Sequence, residues 1–320
     1  MDRHRDPALD GIRALAALAV MAFHLRVPGF SGGYIGVDIF FVLSGYLITT
    51  LLRSGPEHFY ERRMRRLYPA LLTMLVAYAL LAQYFWPERS AGNVMSDVLG
   101  AGTYLSDYLV KPGVWPLRHT WSLAIEAQFY LLWPFVVRRL PDRLAPAVLG
   151  ATWLGLTLWR IAVVRLWGTD AAYYHLDSHS TGLVLGALLS YAPSRPAYYA
   201  WPGVAVLAIL VVALAQAGKW SMVFGLSLAE LGAALLIIGT LDLRPTVLRT
   251  FLGNRFVAGF GLISYGVYLW HYPMAIVARL IWPWQISLPI VFALSTALAA
   301  ASYMSVERIF RLTRRKPALA

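Results

Sequence analysis

Apolar residues in this chain collect into long blocks divided by short turns that bear Pro, Gly and Arg. A bilayer core about 30 Å thick is crossed by a helix of about 20 apolar residues. Blocks of that kind lie near 9–26, 34–53, 68–86, 119–137, 144–167, 178–192, 201–217, 221–241, 257–281 and 287–306, which predicts about ten transmembrane helices. The segment 91–110, AGNVMSDVLGAGTYLSDYLV, is also long enough to cross, but it carries Asn93, Asp97, Asp107 and three glycines. It is therefore expected as a surface or re-entrant element.

Composition sharpens this picture into an all-α, polytopic membrane protein. The 320 residues are 59% hydrophobic and only 14% charged, with mean hydropathy +0.59, too apolar for an ordinary soluble domain. Placing both termini in the cytoplasm puts 19 Lys and Arg on inner segments and seven on outer connections, the bias that the positive-inside rule requires. A further crossing by 91–110 would invert every later loop and destroy that bias. The net charge of +12 thus reads as a topology signal, and nucleic acid is not an expected partner. The basic tail RLTRRKPALA reads as a cytoplasmic stop attracted to lipid headgroups. The first block holds Arg13 and His24 and no small-residue cleavage site follows it, so it reads as a retained span. The absence of cysteine excludes disulfides, thiolate metal sites and a cysteine nucleophile.

Charges inside apolar blocks are the candidates for chemistry. Arg13 and His24 are eleven residues apart, so a helix returns them to nearly one azimuth, about 16 Å apart along its axis. Both either snorkel to the two headgroup layers or share one functional face. In FYERRMRRLYPALL, Arg62, Arg63, Arg65 and Arg66 form a cationic turn at the membrane boundary, with Arg63 and Arg66 on one face. Planar guanidinium groups suit bidentate phosphate binding, so the ligand is either lipid or a nucleotide-bearing cofactor. Asp38 opens the second span at the depth of His24 and is expected to orient its imidazole, whereas Gly45 suits close helix packing. Glu126, one turn from Ser122, pairs with Arg13 or lines a polar cavity. His175, Asp177 and His179 have a spacing compatible with a metal, but no third and fourth ligand stand in an obvious position, and no metal is expected. His271, after Tyr268, is either a substrate contact or a satisfied interior histidine. Trp121, Tyr130 and Trp133 read as interfacial belt residues.

Taken in order, LDGIRALAALAVMAFH, GYIGVDIFFVLSGYLI, RRMRRLYPALL, HTWSLAIEAQFYLLWP and SYGVYLWHYPM resemble the acyltransferase-3 family of bacterial membrane O-acyltransferases. The resemblance covers practically the whole chain, read as a single domain over 1–320 with no appended SGNH-like domain. It implies a multi-pass protein of the bacterial inner membrane that moves a short acyl group from cytoplasmic acyl-CoA, acetyl-CoA by family analogy, to a carbohydrate hydroxyl. A small glycoside or macrolide is the alternative acceptor, and a transporter or flippase is the alternative outside the class. Carried onto matching positions, the family's arginine-to-histidine motif falls on Arg13 and His24 and its Arg-x-x-Arg motif on Arg63 and Arg66. With these, the reading of the residues expects His24, Asp38 and Glu126 in the catalytic set, Arg13, Arg62, Arg63 and Arg66 on the coenzyme, and Ser122, His179, Tyr268 and His271 on the substrate. The segment before GLVLGALLS departs from the family's Arg-x-Asp pattern, with His179 and Thr181 in its place.

Overall fold

The computed structural model describes residues 6–109, 115–193, 196–216 and 218–307; these contain helices and no strand. The first half comprises α1 (Pro7–His24), α2 (Gly36–Arg53), α3 (Phe59–Phe85), α4 (Ala91–Gly102), α5 (Thr120–Arg139) and α6 (Ala145–Leu166). The short α7 (Thr169–Tyr174), α8 (Leu176–His179) and α9 (Thr181–Leu189) follow. The chain then continues with α10 (Ala200–Ala213), α11 (Leu226–Thr240), α12 (Val247–Leu252), α13 (Arg255–Ile281) and α14 (Trp284–Ser302). Among the described residues, six helical stretches are long and apolar enough to cross a membrane. They are Pro7–His24, Gly33–Arg53, Phe59–Phe85, Ala145–Leu166, Ser221–Thr240 and Trp284–Ser305.

The other four expected spans differ for physical reasons. Helices α5 and α13 are long enough, at 20 and 27 residues, but their apolar character is diluted by Glu126 and Gln128 in one and by Arg and His residues in the other. The block at 178–192 breaks into α8 and the nine-residue α9, and the block at 201–217 forms the 14-residue α10. Segment 91–110 holds the 12-residue α4, about 18 Å long and too short to cross. It packs on α3, and its Asp97 accepts hydrogen bonds from Tyr78 (2.6 Å) and Arg89 (2.5 Å).

Helix α1 is the hub. Its N-cap Asp6 accepts from the Ala8 amide at 2.9 Å, Pro7 occupies the first turn, and Arg249 of α12 donates to the second Asp6 oxygen at 2.9 Å. From there α1 runs along α13 on one side and α2 on the other. Helix α2 in turn crosses α9 at backbone contact. A Cβ on Gly45 would strike the Leu183 carbonyl, and one on Gly186 would strike the Val42 carbonyl. Lipid tails give helices no hydrophobic reason to associate, so small residues that let backbones touch supply the packing instead. Gly45 thus fulfils the packing role read from the sequence.

The second internal support is ionic. Arg160 of α6 and Glu230 of α11, both fully buried, meet at 3.1 Å. Arg160 also donates to Thr181 (2.8 Å) and Ser227 (2.5 Å), while Trp153 donates to the other Glu230 oxygen at 2.9 Å. Removing one partner of such a pair strands the other charge, at a cost of about 3–5 kcal/mol.

The α2–α9 crossing gives a direct test. Gly45→Val and Gly186→Val should each destabilise the detergent-solubilised protein by about 1–3 kcal/mol, the usual range for overpacking. Gly150→Ala, where nothing lies within 4 Å of the new Cβ, should not. Thermal unfolding followed by gel filtration reads the difference, and equal midpoints for all three would refute the close crossing.

Candidate active site

Two cavities flank α1. One, about 80 Å³, is lined by Arg13, Ser44, Arg63, Arg66, Ser122, Glu126, Tyr130, Tyr265 and Tyr268. The other, about 260 Å³, is lined by His24 and His119, by Arg26, Arg118 and Arg279, and by Tyr34, Trp121, Tyr173, Tyr174, Tyr268 and Tyr272. Val37 and Tyr268 belong to both walls. The eleven-residue separation sets Arg13 and His24 at different heights along α1, and they line different cavities, Arg13 the first and His24 the second.

The histidines of the larger cavity are ordered by backbone carbonyls. His271 Nδ1 lies 2.7 Å from the carbonyl oxygen of Tyr268, an atom that only accepts, so Nδ1 carries the proton. In the neutral ring Nε2 then holds a lone pair. His24 Nδ1 lies 2.9 Å from that Nε2 and must donate to it. The remaining nitrogen, His24 Nε2, is left with its lone pair and no hydrogen bond among the described residues. Tyr272 stands edge-on to the His24 ring at 4.7 Å between centroids, and Arg279 donates to the His24 carbonyl at 3.1 Å.

A third histidine is placed by a proline. Pro273 lies inside α13 and has no N–H for the carbonyl of Leu269, four residues earlier. His119 Nε2 donates to that freed carbonyl at 3.0 Å. The Tyr268 hydroxyl returns the link by donating to the His119 carbonyl at 3.1 Å, and lies 2.7 Å from Ser122 Oγ. The start of α5 is thus tied to the middle of α13 at the level of the wall between the cavities.

The smaller cavity is cationic. Arg63 and Arg66, one turn apart on α3, both line it, and the Arg63 guanidinium lies 5.6 Å from the centre of the Tyr130 ring. Arg13 is paired with Asp10 at 3.1 Å rather than with Glu126. Glu126 accepts a short hydrogen bond from Ser44. Arg62 is exposed and outside this lining, because its position on the helix turns it away from the face of Arg63 and Arg66.

Four assignments change. Asp38 is fully buried, but its Oδ1 is bonded to His179 Nε2 at 3.0 Å, so His271 and not Asp38 orients His24. His179, expected to meet substrate at a helix mouth, lines neither cavity. It is sealed between Asp38 and the Tyr173 carbonyl (2.5 Å), with its ring 5.0 Å from Trp121. Equal depth in the membrane brought Asp38 and His24 together on paper, but azimuth separates them. Trp121 and Tyr130, read as belt residues, line the two cavities instead. His119 carries no periodic signal of its own and went unread; its clue was a histidine beside Arg118 at the mouth of a span.

The model of one protein family, described as an acyltransferase domain, matches residues 6–305. The chain belongs to that acyltransferase family. Among curated proteins this acyltransferase domain is 34% identical over 311 residues to the peptidoglycan O-acetyltransferase OatA of Listeria monocytogenes, covering 84% of this chain and 49% of that protein. It is 31% identical over 314 residues to the O-acetyltransferase OatA of Staphylococcus aureus, covering 84% and 50%. The chain therefore spans about half the length of the curated relatives it matches. No solved structure matches it.

The hydrogen-bond order has a spectroscopic consequence. In a histidine-labelled sample, nitrogen NMR should show His24 protonated on Nδ1 and bare on Nε2, and His271→Ala should scramble that preference. The opposite His24 tautomer in the unsubstituted protein would contradict the order given above.

Proposed function

We propose that this domain is a membrane O-acetyltransferase, with acetyl-CoA as donor and a carbohydrate hydroxyl as acceptor. The observation that carries this reading is the position of one accepting imidazole nitrogen, His24 Nε2, in a largely aromatic cavity that shares Tyr268 and Val37 as lining with the cavity of Arg13, Arg63 and Arg66. The names of the relatives support the acetyl group and the glycan acceptor.

In this reading the coenzyme's phosphates sit on Arg63 and Arg66, and its pantetheine arm passes Arg13 toward Tyr268. The acceptor enters the larger cavity. His24 Nε2 takes the proton of the acceptor hydroxyl as its oxygen attacks the thioester carbonyl carbon. The C–S bond then breaks, and the CoA thiolate recovers the proton from His24, leaving an acetyl ester and CoA. His271 holds the His24 ring and shares the transient charge through the Nδ1–H bond. The Tyr268 hydroxyl stands at the wall where the thioester must arrive, and it meets the developing oxyanion once its one proton swings away from the His119 carbonyl. The topology that goes with this has about ten spans, cytoplasmic termini and a bacterial inner membrane, so the arginine cavity opens to the cytoplasm.

Loss of a general base slows transfer by about 10²–10⁴-fold. His24→Ala should therefore lose measurable acetyl transfer while inserting and unfolding like the parent protein, and near-normal turnover would remove the mechanism. Arg63→Ala combined with Arg66→Ala should weaken retention of labelled acetyl-CoA by the purified protein; unchanged affinity would place the coenzyme elsewhere. Transport of a substrate without thioester consumption would favour a carrier instead.

A further inference from the structure

One face of α2 lines the smaller cavity. Val37, Phe40, Phe41 and Ser44, spaced i, i+3, i+4 and i+7, all lie in its wall. The chemistry changes along that face. Ser44 is bonded to Glu126, which shares the lining with Arg63 and Arg66. Toward Val37, about 10 Å away along the helix axis, the same face presents only hydrocarbon side chains. Val37 stands at that apolar end and lines the larger cavity as well. Tyr268 is also on both walls, and the Phe40 ring meets its ring edge-on at 6.3 Å between centroids.

The first turn of α2 has no room to yield. A Cβ on Gly36 would strike the Ala16 carbonyl, so this turn rests on α1 backbone to backbone. Asp38, the neighbour of Val37, is bonded to His179 at 3.0 Å with both side chains buried, which fixes the azimuth of the turn. One turn on, Phe41 is 1% exposed and packs edge-on against Trp121 and His179. Val37 itself is β-branched, and in a helix such a side chain keeps one χ1 rotamer about 90% of the time. Tyr268 differs, because its hydroxyl is held by exchangeable hydrogen bonds with Ser122 and the His119 carbonyl. Of the two side chains common to both cavities, one can swing and the other cannot.

We infer that Val37 sets the length of the acyl group. The inference rests on the acyltransferase reading and deepens it, by naming the residue that restricts the donor to a two-carbon acyl chain. On its way to His24 the acyl end leaves the polar stretch at Ser44 and Glu126 and enters the collar of Val37, Phe40 and Tyr268. Movement of Tyr268 opens this collar on one side. The methyl groups of Val37 stay in place, so an acetyl group passes and a longer chain collides with them. Close-packed interiors do not absorb an extra methylene without strain.

The test uses the full chain, labelled at histidine, in phosphatidylcholine nanodiscs. The probes are CoA and the carba analogues of acetyl-, propionyl- and butyryl-CoA, in which a methylene replaces the thioester sulfur so that nothing is transferred. Each is read twice, by displacement of labelled CoA and by the shift of the His24 nitrogen signals. In the parent protein all should displace labelled CoA, but only the acetyl analogue should move His24. Val37→Ala should let the propionyl and butyryl analogues move it too, with a gain in their affinity of about tenfold or more, the usual scale for one methylene in a fitted site. Val37→Phe should abolish the response to the acetyl analogue while labelled CoA still binds. A His24 shift from the butyryl analogue in the parent protein overturns the inference, and so does an unchanged length limit in Val37→Ala. Gel filtration checks that each variant folds, and the parent protein's own limit tests the inference without any substitution. Failure of CoA and all its analogues to bind the parent protein, or an acetyl analogue that binds without moving His24, sinks the acyltransferase reading beneath it.

Discussion

The site depends on one hydrogen bond that leaves no choice of direction. The carbonyl of Tyr268 accepts from His271, so His271 must accept from His24, and His24 is left with an accepting nitrogen. Two imidazoles facing each other at 2.9 Å hold one proton between them. No carboxylate is needed to fix the tautomer, and a carboxylate at this depth would carry a heavy desolvation cost. The carboxylate that might have served, Asp38, is engaged with His179 and holds the wall behind Trp121.

The backbone supplies the rest of the order. Pro273 removes one N–H from α13, and the carbonyl it frees anchors His119 from α5. The same stretch of α13 carries Tyr268 and His271, so a single turn of helix sets the wall between the cavities, the orientation of the base and the link to α5. Buried backbone groups must be paired, and in this helix the pairing places the polar side chains. Tyr268 keeps the arginine cavity apart from the aromatic cavity, and a thioester that reaches His24 must pass it. In the proposed reaction the same wall excludes water from the donor until the acceptor is in place.

Helical periodicity made much of this legible. The phase of Arg13 against His24 and of Arg63 against Arg66 follows from 3.6 residues per turn, and the structure assigns each pair to cavity walls as that phase requires. Gly45 reads correctly as a contact point because a bare backbone inside an apolar block has few other uses. What the sequence hid depends on azimuth between helices. Depth alone paired Asp38 with His24, but α2 turns Asp38 toward α8. Arg26, Arg118 and Arg279 read as topology charges, because a charge beside a helix end looks the same whether it faces lipid or a cavity. The aromatic cavity was missed for a similar reason, since Trp121 in an apolar block satisfies the pattern of an interfacial belt. Span count also suffers: α5 and α13 contribute polar residues to the cavity walls, and those residues lower the apolar signal by which spans are recognised.

The most direct measurement is an experimental density map of the protein in lipid with a non-transferable acetyl-CoA analogue bound. The account predicts nucleotide phosphates on Arg63 and Arg66, a displaced Tyr268 side chain, and the acyl carbonyl beside His24 on its Nε2 side. A nucleotide seated in the aromatic cavity, or an acyl group that ends away from His24 with Tyr268 unmoved, would contradict it.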